Sequence, residues 1–193
     1  THDDILRGVR ALSNVVQARL DPTAPASVVK VVVALAQRQP VTEYVRTELA
    51  RRITDAMPIA ANVTLELVDA VQLGVHVVLE ISVNPGFFEG EVVRSLEAAF
   101  APRDGGFFDL ERWPIGAPLR VGDIYEHAFA SPGVATARVR WLSRQAEPME
   151  LPNHTVDGLW PEPGEVVRCD SDRTQDTNHA HGNFRVQIKR GGR

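Results

Sequence analysis

The sequence predicts an α+β fold: two consecutive small α/β units, strand-helix-strand and then strand-helix-helix-strand, followed by an irregular, β-rich C-terminal tail. Three observations predict it. Segments with apolar residues at helical spacing take turns with segments of strict alternation. Proline and glycine punctuate nearly every change of period. After Ser143 the regular patterns stop, and Pro148, Pro152, Pro161 and Pro163 leave room only for short strands.

Residues 3–20 are expected as a helix, because Ile5, Val9, Leu12, Val16 and Leu20 recur at three- and four-residue steps. Asp21-Pro22 and Pro25 stop it, so residues 1–26 form an N-terminal helix and linker. The first α/β unit spans 27–69. Its opening stretch, SVVKVVVALA (27–36), is dense in β-branched residues and suits a buried central strand. A helix over 41–57 follows, with Thr42 as N-cap and Val45, Leu49 and Ile53 inward, while Arg46, Glu48, Arg51 and Arg52 face water. Residues 62–68 alternate as a half-buried strand.

The second unit spans 70–145. Residues 71–83 put Val71, Leu73, Val75, Val77, Leu79, Ile81 and Val83 on one face, and Gln72, His76, Glu80 and Ser82 on the other. Asn84-Pro85-Gly86 breaks that strand. Helices are expected at 88–100 and 121–130, separated by a loop in which Gly105-Gly106 permits a sharp turn. Residues 134–142 read as a strand with Ala135, Ala137, Val139 and Trp141 inward. Periodicity leaves open whether the two units share one sheet or keep one each. The tail, 146–193, offers short strands near 165–170 and 184–189, and a segment this irregular is expected to lie along something else.

Composition narrows the function. Apolar residues are 44%, charged residues 24%, and the net charge of −4 disfavours a protein whose affinity comes from neutralising phosphates. No apolar run approaches the ~20 residues of a membrane helix. The single cysteine, Cys169, excludes an internal disulfide framework and fits a reducing compartment. The chain opens on Thr1 and not on Met, which leads to the expectation that it is part of a longer or processed protein.

Candidate chemistry is sparse. His179 and His181, with His154, Cys169, Asp170, Asp172 or Asp176, are the residue types that bind zinc, but no second pair stands at a structural-zinc spacing. His127 and Ser131 are near in sequence, and a helix end followed by Pro-Gly accounts for both. Asp104, Asp109 and Glu111 read as a wet loop, and His76 as a surface residue. Gly105-Gly106 lacks the lysine and hydroxyl of a phosphate loop. No catalytic or cofactor-binding residue is expected. Phe107, Phe108 and Trp113, in a Gly/Pro-rich loop, either plug the domain or meet a partner, and Trp160 is the expected anchor of the tail on another chain. Trp113, Pro114 and Gly116 are expected to form a rigid turn packed on the helix at 121–130.

With those residues in view, the chain resembles the C-terminal part of the baseplate J-like family, the wedge subunits of contractile phage tails and related contractile injection systems. An alternating strand ends in Pro-Gly (VVLEISVNPGF, 77–87), and a helix follows (EVVRSLEAAF, 91–100). A Gly-Gly linker then leads into Trp-Pro-x-Gly-x-Pro (GGFFDLERWPIGAPL, 105–119). A short helix closed by Pro-Gly-Val runs into a strand (VGDIYEHAFASPGVATARVRWL, 121–142). The resemblance covers about 27–145, and the tail has no counterpart in it. It implies a structural virion or injection-system component that is assembled in the bacterial cytoplasm. Its partners would be copies of itself, a paralogous wedge subunit and other baseplate proteins, in a ring around a central spike. Two other readings stay open: a metal-dependent hydrolase using the C-terminal His/Asp/Cys cluster, and a small ferredoxin-like ligand-binding module.

The metal reading has a direct check. Dialysed protein is expected to hold no stoichiometric zinc by elemental analysis. One equivalent that disappears in a His179→Ala/His181→Ala variant would favour the hydrolase.

Overall fold

Helix α1 (His2–Arg10) is half the length the sequence predicts. The same apolar positions also suit a strand, because Val16 and Leu20 lie four apart and a four-residue step fits both a 3.6 and a 2.0 period. The chain leaves the helix through Leu12, whose N–H reaches Val9 O at 3.2 Å, and residues Val15–Leu20 become strand β1. The computed structural model describes residues 2–12, 14–36, 39–56, 64–109, 112–145, 157–170 and 182–189.

The α+β class holds, and each unit has its own sheet. The chain divides into a first unit of Thr1–Val71, Pro114–Gly116 and Glu162–Val166, and a second of Gln72–Trp113, Ala117–Pro161 and Val167–Arg193.

In the first unit β1 pairs antiparallel with β2 (Val28–Leu35), and β2 pairs parallel with β3 (Thr64–Asp69) through the crossover helix α2 (Glu43–Ala56). Val31, Val33 and Leu35 of β2 meet Val9, Leu49 and Ile53 in one apolar core. Val32 and Ala34, on the opposite face, are buried as well, as a central strand's unbroken apolar run requires. Thr42 caps α2 as expected, its hydroxyl accepting the Val45 N–H at 3.3 Å.

The second unit is built on β4 (Val71–Val83), whose bounds match the alternating pattern. β6 (Val134–Arg144) pairs antiparallel with it, β9 (Gly182–Ile188) pairs parallel, and β8 (Glu165–Arg168) joins the same sheet. Helices α3 (Glu89–Ala99) and α4 (Val121–Phe129) cover the face carrying Val75, Val77, Leu79 and Ile81, all of them fully buried. Val71 is the exception to that stripe and is exposed. A short ladder of β5 (Leu119–Arg120) and β7 (Gly158–Leu159) completes the unit.

Two orientations in β6 differ from expectation, and bulges explain both. Val139 pairs with Leu79 but Trp141 pairs with Val78, so Arg140 is an extra residue. One inserted residue reverses the alternation beyond it. Leu142 therefore turns into the core opposite Val77, and Trp141 lies half-buried on the other face, its indole N–H on Ser143 Oγ at 2.8 Å. A second irregularity between Ser82 and Val83 leaves Ala135 unpaired and exposed. The described parts of the tail supply β7, β8 and β9 and send Leu159, Val167, Cys169 and Phe184 into the second core. Residues 146–156 and 171–181 lie outside the described set.

Asp21, just after β1, accepts hydrogen bonds from the Thr23 hydroxyl and N–H and faces Lys30 at 3.0 Å. The Thr23 bonds, then Lys30, hold its carboxyl at about 2, below the ordinary 3.8. A lowered folded pKa means stability that is present above the unfolded value and lost as pH falls through the folded one. Asp21→Asn is thus expected to be less stable than the parent near neutrality, with the gap closing as pH falls from 3.8 towards about 2. Denaturant midpoints across that range check this, and a gap that does not change with pH removes the account.

Candidate functional site

The loop between α3 and α4 concentrates the residues that the sequence singles out, and its local chemistry explains its shape. Gly105 turns the chain at φ +77, and its N–H is held by Asp109 Oδ2 at 3.2 Å, so that carboxylate braces a turn. Phe107 and Phe108 then point inward and are completely buried. Trp113 is 6% exposed, packs edge-on to Phe107 at 5.2 Å between ring centroids, and donates its indole N–H to Phe107 O at 2.7 Å. Phe100 joins Phe107 at 4.8 Å and stacks on Phe184 of β9 at 4.3 Å with the planes 9° apart. These five rings form a continuous aromatic core. Of the two roles left open for Phe107, Phe108 and Trp113, the structure assigns the plug.

The three residues after Trp113 belong to the first unit. Ile115 is 2% exposed and is gripped at both backbone polar atoms. Its N–H donates to Gln17 Oε1 at 2.9 Å and its carbonyl accepts the Arg19 guanidinium. Gly116 adopts φ +73 and donates its N–H to Glu165 O at 2.7 Å. The positive φ is what favours glycine there; a Cβ would also press on the tip of the Arg19 guanidinium, which would have to shift from its bond to Ile115 O. Pro114 is exposed. The turn exists as expected, but the contacts that fix it come from β1. Sequence reasoning missed Gln17 and Arg19 because it placed them on a helix. In a strand they alternate with Ala18 and Leu20 and share the face opposite the core, which was the available signal.

Four of the remaining candidates make structural contacts. His127 Nε2 lies 3.0 Å from Ala99 O, with the ring 5.0 Å from both Phe100 and Phe107. Ser131 is buried in the turn after α4, its N–H on Ala128 O. Cys169 is buried and Asp170 pairs with Arg168 at 3.0 Å. His154, His179, His181, Asp172, Asp176 and Glu111 lie outside the described residues. Among the described residues, no group of three His, Cys, Asp or Glu side chains is placed to hold a metal ion. Trp160 is 59% exposed at the end of β7, its carbonyl held by Arg144 at 2.9 Å. It is the one aromatic of the predicted set that reaches solvent.

The first unit carries a cleft of about 220 Å³ floored by Leu12, Val15, Leu35, Val45 and Leu49. It is smaller than the ~300–1,000 Å³ of small-molecule sites. Its carboxylate, Glu48, is already engaged by Arg51 at 3.0 Å and Arg52 at 2.7 Å, and those two hydrogen bonds lower its pKa to about 2. Within the lining, Glu48 and Arg52 thus neutralise one another, and Asn14 and Tyr44 complete its polar side. Among the described residues no helix is long and apolar enough to cross a membrane. No family model matches the chain, and no curated protein matches it in sequence.

Two substitutions test whether this segment is held as described. Trp113→Ala is expected to cost ~3–5 kcal/mol, the range for removing a buried aromatic. Gly116→Ala is expected to cost ~1–3 kcal/mol from backbone strain alone, before the collision with Arg19 is counted. Urea unfolding of each variant checks both. Parent-like midpoints would show that the segment is loosely packed.

Proposed function

We propose that the chain is a structural baseplate wedge component that bridges neighbouring subunits in a contractile phage tail or contractile injection system. The observation that carries this reading is the ordered set of motifs from Asn84 to Val139, which resembles the baseplate J-like family. The reading is further supported by how the polar side chains of that stretch are used. Asn84 Nδ2 reaches Val134 O at 3.4 Å, Asp109 braces Gly105, His127 meets Ala99 O, and the Tyr125 hydroxyl accepts the edge N–H of Val139 at 3.1 Å. Side chains spent on backbone geometry fit a part that must hold position under load, not one that performs chemistry. On this reading there is no catalytic residue and no cofactor.

Exposed aromatic side chains supply contact points for partners. Trp160 stands at the end of β7, Phe87 and Phe88 precede α3 at 50% and 76% exposure, and Phe129 closes α4 at 52%. Large apolar groups left in water are where interfaces gain most per residue.

The test is localisation. An epitope-tagged copy expressed in cells that assemble contractile-tail particles is expected to co-sediment with them, with gold label at the distal end of the tail in electron micrographs. Label confined to soluble fractions, or spread along the sheath, would refute the wedge assignment.

A further inference from the structure

The second unit has two layers whose outer surfaces are oppositely charged. On the sheet, the face turned away from α3 and α4 presents His76, Val78 and Glu80 from β4, Arg138 and Trp141 from β6, and Arg185 from β9, as the pairings Val78↔Trp141, Val78↔Arg185 and Glu80↔Arg138 require. Arg140 reaches the same face, 3.9 Å from Glu80, and Lys189 continues the alternation of β9. Arg168 of β8, which reaches Gln72 at 3.4 Å, and Asp170, its partner at 3.0 Å, share this face because Val167 and Cys169 point into the core. Five cations therefore stand against two carboxylates in a chain whose net charge is −4. Half-buried Val78 and Trp141 make an apolar strip between them. Neither helix of the second unit packs on this face, since α3 and α4 both pack into the core on the other side of the sheet.

The helix layer is the complement. α3 and α4 together carry Glu89, Glu91, Glu97, Asp123 and Glu126 against Arg94 alone. Glu89, Glu91 and Glu126 are exposed, and so are Phe88 before α3 and Phe129 at the end of α4. Each layer thus pairs apolar groups with a net charge, and the two net charges are opposite in sign.

We propose that the basic sheet face of the second unit docks on the acidic helix layer of a second copy of this chain, head to tail. Charge complementarity chooses this occupant over a face-to-face pair, which would bring like charges together. A contact between two different surfaces of one chain is heterologous and propagates into a ring or an open filament. The inference deepens the bridging proposal and rests on it for the idea that the working partner is a chain of the same kind.

The experiment uses the whole chain and sedimentation velocity. Self-association is expected in low salt, with the association constant falling at least ~10-fold between 0.1 and 1 M salt as the screening length contracts from ~10 to ~3 Å. Arg138→Gln/Arg185→Gln removes charge from the sheet face, and Glu91→Gln/Glu126→Gln removes it from the helix layer. All four residues are exposed, so both variants are expected to fold. Each variant alone is expected to be monomeric. Mixed, they are expected to form a 1:1 dimer and nothing larger, since only one intact pair of surfaces remains.

A monomeric parent at every salt concentration overturns the inference. So does a helix-layer variant that dimerises by itself, which would mean that sheet meets sheet. Salt-sensitive binding of a DNA duplex of about 20 base pairs to a monomeric parent, lost in the sheet variant, also overturns it and makes the face a polyanion surface. The two proposals fail separately. A chain that labels tail ends but never self-associates ends only this inference, and one that self-associates but labels no tail ends only the wedge assignment.

Discussion

β4 is the constraint on which the second unit depends, because it is paired along both edges. Residues 75–81 face β6 on one side and β9 on the other, so every backbone polar group in that span has a defined direction. The strand cannot slip by one residue without sending Val75, Val77, Leu79 and Ile81 to water and His76 and Glu80 into the core. That register fixes the rest. β9 brings Phe184 to Phe100, so the end of α3 is set by a strand far away in sequence, and β6 brings Val139 to Tyr125 in the middle of α4.

This explains which parts of the fold were legible. β4, α2, α3 and α4 appear in the sequence near their observed bounds, since each shows one period over many residues and ends at a proline, a glycine or a cap. β1 was not legible, because Leu12, Val16 and Leu20 satisfy two periods at once and only a partner strand decides between them. Trp141 was misplaced for a related reason. The bulge at Arg140 leaves no mark in the residue pattern, yet it reverses everything beyond it. Both errors concern tertiary pairing, which a local window does not contain.

The segment from Gly105 to Leu119 illustrates how stiffness is divided among residue types. Glycine and proline give it shape, but the larger contribution comes from side chains outside it. Gln17 and Arg19 fasten Ile115, and the aromatic core fastens Phe107, Phe108 and Trp113. A buried residue whose backbone N–H and carbonyl are both satisfied by side chains is costly to release, since each would be left unpaired. The candidate site was therefore legible as a rigid feature, while the residues that make it rigid were not. Its aromatics seemed equally suited to a partner surface because sequence alone does not say which rings find one another.

Where described polar groups of the second unit's loops brace the backbone, as Asp109, His127 and Tyr125 do, the charge on the outer layers is what the unit offers to an approaching surface. Exposed charges act over roughly a screening length, about 8 Å at physiological ionic strength, so they orient an approaching surface more than they hold it. Holding falls to the apolar groups set among them: Val78 and Trp141 on the sheet, Phe88 and Phe129 on the helix side. These are few, and Val78 and Trp141 are half-buried, so a contact built this way is specific in direction but modest in strength. For a subunit that must keep neighbours in register and later let them rearrange, that division is an advantage. On the proposed wedge reading, a braced interior would preserve the geometry through such a change, and the contacts to be remade would be those that cost least to break.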